Sequence, residues 1–278
     1  SGRWTIYEVK SSTKIKDEHL DDVGLQVWIM AKSGLPIEQI NLMYINNACK
    51  YPDLSNLFIT EDVTEKLREK YLEISPKINK LFSALKSDHV PDIDIGAHCS
   101  LPNDCPFSSH CWSEKHIPEM SVLNLPQIKN LKWDLYKQGI LNLDDSRLTD
   151  LTPLQQRVVD VFKSKQRFID IEGIRHSMKE WKYPLVFLDF ETINPAIPRY
   201  EQTTPYQQVP FQFSVHIWPT PSADLTHKEY LHTDKSDPRP QLIPALLEAC
   251  GTAGSIVAYY GKFESSRIAE LAEFSPEY

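Results

Sequence analysis

The sequence predicts an α/β fold on mixed sheets, and three observations predict it. Short apolar runs of strand length, such as Leu185, Val186, Phe187 and Leu188, are interspersed with longer stretches whose apolar residues recur every three or four positions, as from 61 to 86. Pro, Gly, Asn and Ser separate the runs and punctuate the chain with turns. The composition is that of a globular chain, with 278 residues, 41% hydrophobic and 24% charged, and has room for two domains. No apolar run approaches membrane-spanning length and no secretory signal opens the chain, so no membrane partner and a cytoplasmic location are expected. Net charge is −8, shared nearly evenly between the halves. Such a balance offers no global attraction to phosphate. Any nucleic-acid contact must come from a local basic groove or a bound metal, which weakens a binding-only role more than an enzymatic one.

From the start, residues 3–11 (RWTIYEVKS) alternate as a strand with Trp4, Ile6, Glu8 and Lys10 on one face. A Glu-x-Lys closing a strand suits phosphoryl chemistry: the carboxylate ligates a metal and the ammonium steadies the attacking water or the developing charge. An exposed ion pair is its other reading. Residues 14–33 read as an amphipathic helix burying Leu20, Val23, Val27 and Met30 or Ala31, with Asp22 and Gln26 one turn apart on a neighbouring face. Residues 40–48 read as the next strand. A long helix is expected over 61–86, where Val63, Leu67, Tyr71, Ile74, Ile78, Leu81 and Leu85 form a core stripe.

Then comes a loop, IGAHCSLPNDCPFSSHCW, with Cys99, Cys105 and Cys111 evenly spaced and Pro102 and Pro106 restricting the backbone. Three thiols within so short a stretch of a chain that reads as intracellular suggest metal ligands rather than disulfides, and predict convergence on one soft metal. Thiolates suit an iron–sulfur cluster or Zn, with His98 and His110 as further donors for zinc. Reduced structural cysteines are the plainer alternative. Residues 117–181 turn helical and linker-like: a helix over 130–138 broken at Gly139, another over 143–148, then amphipathic helices over 153–165 and 170–181.

The stretch YPLVFLDFETINPAIP (183–198) carries a buried strand into Asp189 and Glu191. At a period of two these carboxylates share a face, and like charges so close call for a cation such as Mg2+ or Mn2+; otherwise one caps a turn while the other faces water. A loop and strand over 203–218, a strand over 225–232, a helix from Asp237 to Cys250, a strand over 254–260 and a helix opening at Phe263 and Glu264 follow.

That second order of elements resembles the opening of a ribonuclease H-like fold, and its residues resemble the DEDD family of 3′ to 5′ exonucleases. The likeness puts Asp189 and Glu191 in the first acidic motif and Glu264 in the second, where Asp is usual and Tyr260 stands in place of an Asn; the last motif would lie beyond Tyr278. The strand with Glu8 and Lys10, followed by a helix bearing Gln26, resembles the RecB-like branch of the PD-(D/E)xK nucleases, whose other Asp lies upstream. In the iron–sulfur members of that branch three cysteines follow the core and a fourth precedes it. Neither Cys49 nor Cys250 is an attractive substitute for that fourth ligand. Together the pieces resemble one uncharacterised bacterial family that joins a RecB-like core, a cysteine cluster and a DEDD-like domain.

The resemblance implies a partial RecB-like core with its cysteine loop over 1–116, a helical linker over 117–181, and a partial exonuclease-like domain over 182–278. Ser1 and Gly2 read as a vector-derived scar, and both ends are expected to be cut from a longer protein. The expected function is a metal-dependent nuclease acting on DNA more than RNA. Asp189, Glu191 and Glu264 would hold Mg or Mn in one site, Glu8, Lys10 and Gln26 would serve the other, and Cys99, Cys105 and Cys111 would hold a 4Fe-4S cluster or Zn. The opposing expectation is a nucleic-acid-binding or scaffolding protein with decayed nuclease folds.

Overall fold

The computed structural model describes residues 2–101 and 103–277. Pro102, expected to stiffen the cysteine loop, lies outside the described residues, as do both terminal residues. In chain order the elements are β1 (Trp4–Lys10), α1 (Asp17–Lys32), β2 (Ile37–Ile45), β3 (Phe58–Asp62), α2 (Thr64–Leu85), α3 (Ser108–Glu114), α4 (Leu131–Lys137), α5 (Pro153–Ser164), α6 (Ile171–Met178), β4 (Leu185–Ile193), β5 (Val209–Trp218), β6 (Thr226–Leu231), α7 (Arg239–Cys250), β7 (Ser255–Val257) and α8 (Gly261–Phe274). The fold class is mixed α/β. Among the described residues no helix is long and apolar enough to cross a membrane.

Two compact units divide the chain. One takes residues up to Ile78 together with those from Arg175 onward, and the other is Asn79–Ile174. These units do not follow the boundaries expected at 116 and 181. The physical reason is a shared core: Ile95 and Cys99 from the cysteine loop cluster with Val122, Leu143 and Val159 from the stretch expected to be linker. That stretch supplies most of the buried side chains of the second unit.

The first unit holds two sheets. In one, ordered β1-β2-β3, α1 carries the chain from β1 to a parallel β2, and β3 returns antiparallel. Asp17 and Glu18 in the first turn of α1 and Lys32 in its last complement the helix dipole. Leu20, Val23 and Val27 of α1 pack with Ile40 and Leu42 of β2 and with Val63 and Leu67. The other sheet is ordered β6-β5-β4-β7, with β7 parallel to β4 and the rest antiparallel. One of its faces carries the main core: Val186, Leu188, Phe190, Phe213 and Val215 pack with Leu242, Leu246 and Leu271 from α7 and α8, while on the other face burial ends at Leu185 and gives way to exposed side chains at Asp189 and Glu191. The two sheets are stitched together through loops. Gln202 and Thr203 exchange main-chain hydrogen bonds with Tyr51 at 3.1 and 3.0 Å, the Tyr206 hydroxyl donates to the Ser11 carbonyl, and Ala196 and Tyr206 complete a small cluster with Ile45, Cys49 and Leu57.

Several elements depart from their sequence expectations. The second strand lies three residues earlier than 40–48, ending at Ile45. Residues 58–62 form β3 instead of leading into the long helix, which starts only at Thr64, whose amide donates to the Asp62 carboxylate at 2.9 Å. The stripe on that helix is core only at its start: Leu67 is buried, whereas Leu81 and Leu85 are 64% and 81% exposed. Residues 143–148 form turns, not a helix, because the Asp145 carboxylate binds the Arg147 amide at 2.9 Å and its guanidinium at 2.7 Å, closing the chain locally. The strand expected over 254–260 stops at Val257, with Tyr259 and Tyr260 exposed. Within the cysteine loop, residues 108–114 are helical.

Candidate active site

Alternation along β4 decides where its carboxylates point. Leu188 and Phe190 enter the covered core, so Asp189 and Glu191 emerge, exposed, on the open face. β7 pairs with β4 only along Leu185, Val186 and Phe187, which leaves Asp189 and Glu191 beyond its end. In register across the sheet, Asp189 lies beside Ser214 and then Glu229, and Phe187 beside His216 and then His227. The two imidazoles stack with centroids 4.5 Å apart, and the Ser214 hydroxyl sits 3.1 Å from His227 Nε2. These neighbours were missed in the sequence, although the alternation of VPFQFSVHIW already sets Gln212, Ser214 and His216 on one face. Among the described residues no ion pair or side-chain hydrogen bond engages Asp189 or Glu191. Two uncompensated carboxylates two residues apart repel, and a cation would relieve them.

Glu264 is placed differently. It stands in the first turn of α8 but is only 5% exposed, and its Oε2 is buried without a hydrogen-bond partner. One turn on, Arg267 pairs with Glu270 and leaves its own Nε unpartnered. Leu271 anchors α8 in the covered core, whereas Asp189 and Glu191 face away from that core. Among the described residues no group of three or more His, Cys, Asp or Glu side chains is placed to hold a metal ion, so Glu264 does not close a site with the pair. The donors still fit a hard divalent cation. Mg2+ is commonly held by one or two carboxylates, with waters and substrate phosphate supplying the rest, and a buried carboxylate oxygen with no partner is costly to keep.

Residues 186–278 match the family described as Domain of unknown function (DUF2779). No curated protein matches the chain, and no solved structure does. The DUF2779 segment takes in all of the second sheet except Leu185, and with it Asp189, Glu191 and Glu264. It agrees with the expected likeness to an uncharacterised family over that stretch, and it names no chemistry.

A second polar cluster lies outside the DUF2779 segment, at the end of β1. Ile6, Glu8 and Lys10 share the inner face of that strand, each half-buried. Lys10 Nζ lies 2.8 Å from Glu8 Oε1 and makes a short contact with Asp22 on α1. Gln26 reaches the group through Asp22, its amide donating to Oδ1 at 3.2 Å. The structure therefore brings Glu8, Lys10 and Gln26 together and adds Asp22, whose one-turn offset from Gln26 was the signal in the sequence. Burial opposes the Lys10 charge, but hydrogen bonds to Asp22 and Glu8 hold its pKa above the ordinary lysine value. The same Lys10 bond, then that of Gln26, holds the Asp22 carboxyl below the usual range.

The three loop cysteines all pack on the core of the second unit. Cys99 is buried in a single 3-10 turn, Cys105 donates its amide to the Cys99 carbonyl at 2.8 Å, and Cys111 sits on α3. All are free thiols. Their donor chemistry suits a soft metal, but they too are not among any described group arranged as a metal site.

Proposed function

We propose that the chain is a metal-dependent nuclease, hydrolysing phosphodiester bonds of DNA, or of RNA, from strand ends, on a RecB-like core and a ribonuclease H-like domain within the cytoplasm. The observation that carries this reading is the pair of exposed, unpaired carboxylates, Asp189 and Glu191, side by side on the open face of β4. They would hold Mg or Mn together with substrate phosphate oxygens, and such a metal would supply charge compensation at the attacking and leaving oxygens. Glu264, with its unsatisfied oxygen, is the further donor that the motif resemblance implies. In the first sheet Glu8 would be the metal-holding carboxylate, Lys10 would offer its ammonium to developing negative charge, and Gln26 would orient Asp22 beside them. Cys99, Cys105 and Cys111 would hold an iron–sulfur cluster or Zn in a structural role.

The test is cleavage of end-labelled single- and double-stranded DNA and RNA by the protein with Mg2+, with Mn2+ and with chelator. Asp189→Ala is expected to lower metal-dependent cleavage at least ~100-fold, as loss of a charge-stabilising group does, without lowering the melting temperature, because the side chain is exposed. Cleavage retained in Asp189→Ala but lost in Lys10→Ala would move the chemistry to the first sheet. A second reading, a nucleic-acid-binding or scaffolding protein with decayed nuclease folds, is favoured by the departures at Tyr260 and Glu264 and by the absence of any three-residue metal group among the described residues; no cleavage with either metal would favour it over the nuclease.

A further inference from the structure

The second unit carries a basic groove that neither acidic site explains. One stripe of α5, at helical spacing, presents Gln156, Arg157, Asp160 and Ser164 to solvent, while Gln155 and Val159 on the opposite stripe are buried. Thr152 caps the helix start, its hydroxyl accepting the Gln155 amide, and Pro153 fills the first turn. At the other end Lys165 adopts a left-handed conformation, φ 58°, and turns the chain back so that Gln166, Arg167 and Phe168 run beside the stripe. Between helix and returning segment lies a groove of 450 Å³. Its cations are Arg157 and Arg167, with Lys163 and Lys165 close in sequence and Asp160 the one carboxylate between 153 and 168, in a chain whose net charge is −8. Among the described residues no ion pair engages those four cations. The Arg157 guanidinium lies 4.2 Å from the centroid of the Phe168 ring, which is still 51% exposed.

We infer that this groove docks a nucleic-acid strand, with Arg157 and Arg167 on its phosphates and Phe168 stacked on a base. A local basic concentration in an acidic protein selects a polyanion by charge complementarity. The guanidinium fork matches phosphate oxygens, and an exposed ring backed by an arginine is the surface on which unpaired bases stack. Gln156, Gln166 and Ser164 offer neutral hydrogen-bonding groups along the same wall. The inference goes beyond the nuclease reading and does not need it, since docking requires neither metal nor cleavage.

The experiment is fluorescence anisotropy of the protein with a labelled single strand of about 16 nucleotides, long enough to fill a typical single-strand groove, in chelator and across a salt series. Binding is expected to weaken as salt rises. Arg157→Gln with Arg167→Gln should lower affinity about tenfold and flatten the log–log salt slope by roughly 1.4, the release expected for two single-strand phosphates. Phe168→Ala should weaken binding with the slope unchanged, and Arg157→Lys with Arg167→Lys should restore the slope. Arg68→Gln with Lys77→Gln on α2 makes the same change in net charge and should leave affinity within about twofold. The inference is overturned by no binding in the wild type, by equal loss in the two glutamine doubles, or by tighter binding of poly-glutamate, which would make the occupant an acidic peptide. All the substituted groove residues are exposed, so each variant keeps its fold and each outcome reads on docking.

Discussion

Lys10 is held between Glu8 and Asp22, and the charges of the group define a pH window. Asp22 has a depressed folded-state pKa, so its contribution is complete above the ordinary carboxylate value of 3.8 and is lost as pH falls through the lower folded value. Lys10 has a raised one, so its contribution is complete below 10.5 and is lost as pH rises through the folded value. Asp22 is 46% exposed, which limits the pair to ~1 kcal/mol. Lys10→Met should cost about that much between the two limits, and urea denaturation across pH should show the gap to wild type closing beyond them; a gap independent of pH would refute the linkage. Glu264 offers a contrary case. An unpartnered buried carboxylate oxygen costs about 1–3 kcal/mol, so Glu264→Met in chelator, which removes that oxygen from a side chain of similar length, should raise the melting temperature by about 2–4 °C, for a gain of ~1 kcal/mol. A lower melting temperature would mean that Oε2 is satisfied in solution.

At the scale of elements, β4 and its neighbours depend on close backbone approach and on one large side chain. Gly254, just before β7, has φ +92°, and a Cβ there would lie 2.0 Å from the Pro184 carbonyl oxygen. Gly254→Ala combines an unfavourable conformation with a backbone clash and should cost at least ~2 kcal/mol by chemical denaturation, whereas at Gly139, also at positive φ but with open space around it, Ala should cost about half as much. Phe213 is fully buried in the covered core, and Phe213→Ala should cost about 3–5 kcal/mol. Periodicity made much of this legible: the alternation of LVFLDFET put Asp189 and Glu191 on one face, and that of WTIYEVK put Glu8 with Lys10. What escaped reading depended on partners remote in sequence. Residues 58–62 look like a loop running into a helix, and become a strand because β2 offers an open edge. Leu81 and Leu85 have core periodicity, but among the described residues no element covers them. Asp22 gained its role only when α1 laid it over Lys10. The even spacing of the cysteines said nothing of their allegiance, which the burial of Ile95 and Cys99 beside Leu143 reveals.

At the scale of the whole molecule, each unit has its own core, so injuries should stay local. Leu143 is fully buried in the second unit. Leu143→Ala should cost about 2–5 kcal/mol and accelerate amide hydrogen exchange from 79 to 174 more than in the two sheets; a uniform acceleration would show that the units unfold as one. The first unit, by contrast, is assembled from two separated stretches, and the loop around Thr203 and Tyr206 completes the cluster that begins at Ile45 and Cys49. On the ribosome this imposes an order of birth. The inserted unit emerges whole while the β1-β2-β3 sheet still lacks its stitching, and at about 5–20 residues per second the stretch that follows, as far as Tyr206, takes a few seconds more to arrive. For that interval the nascent sheet keeps Ile45 and Leu57 without their late partners, so a holdase that recognises short apolar segments has its natural moment of engagement there, before termination and not after it.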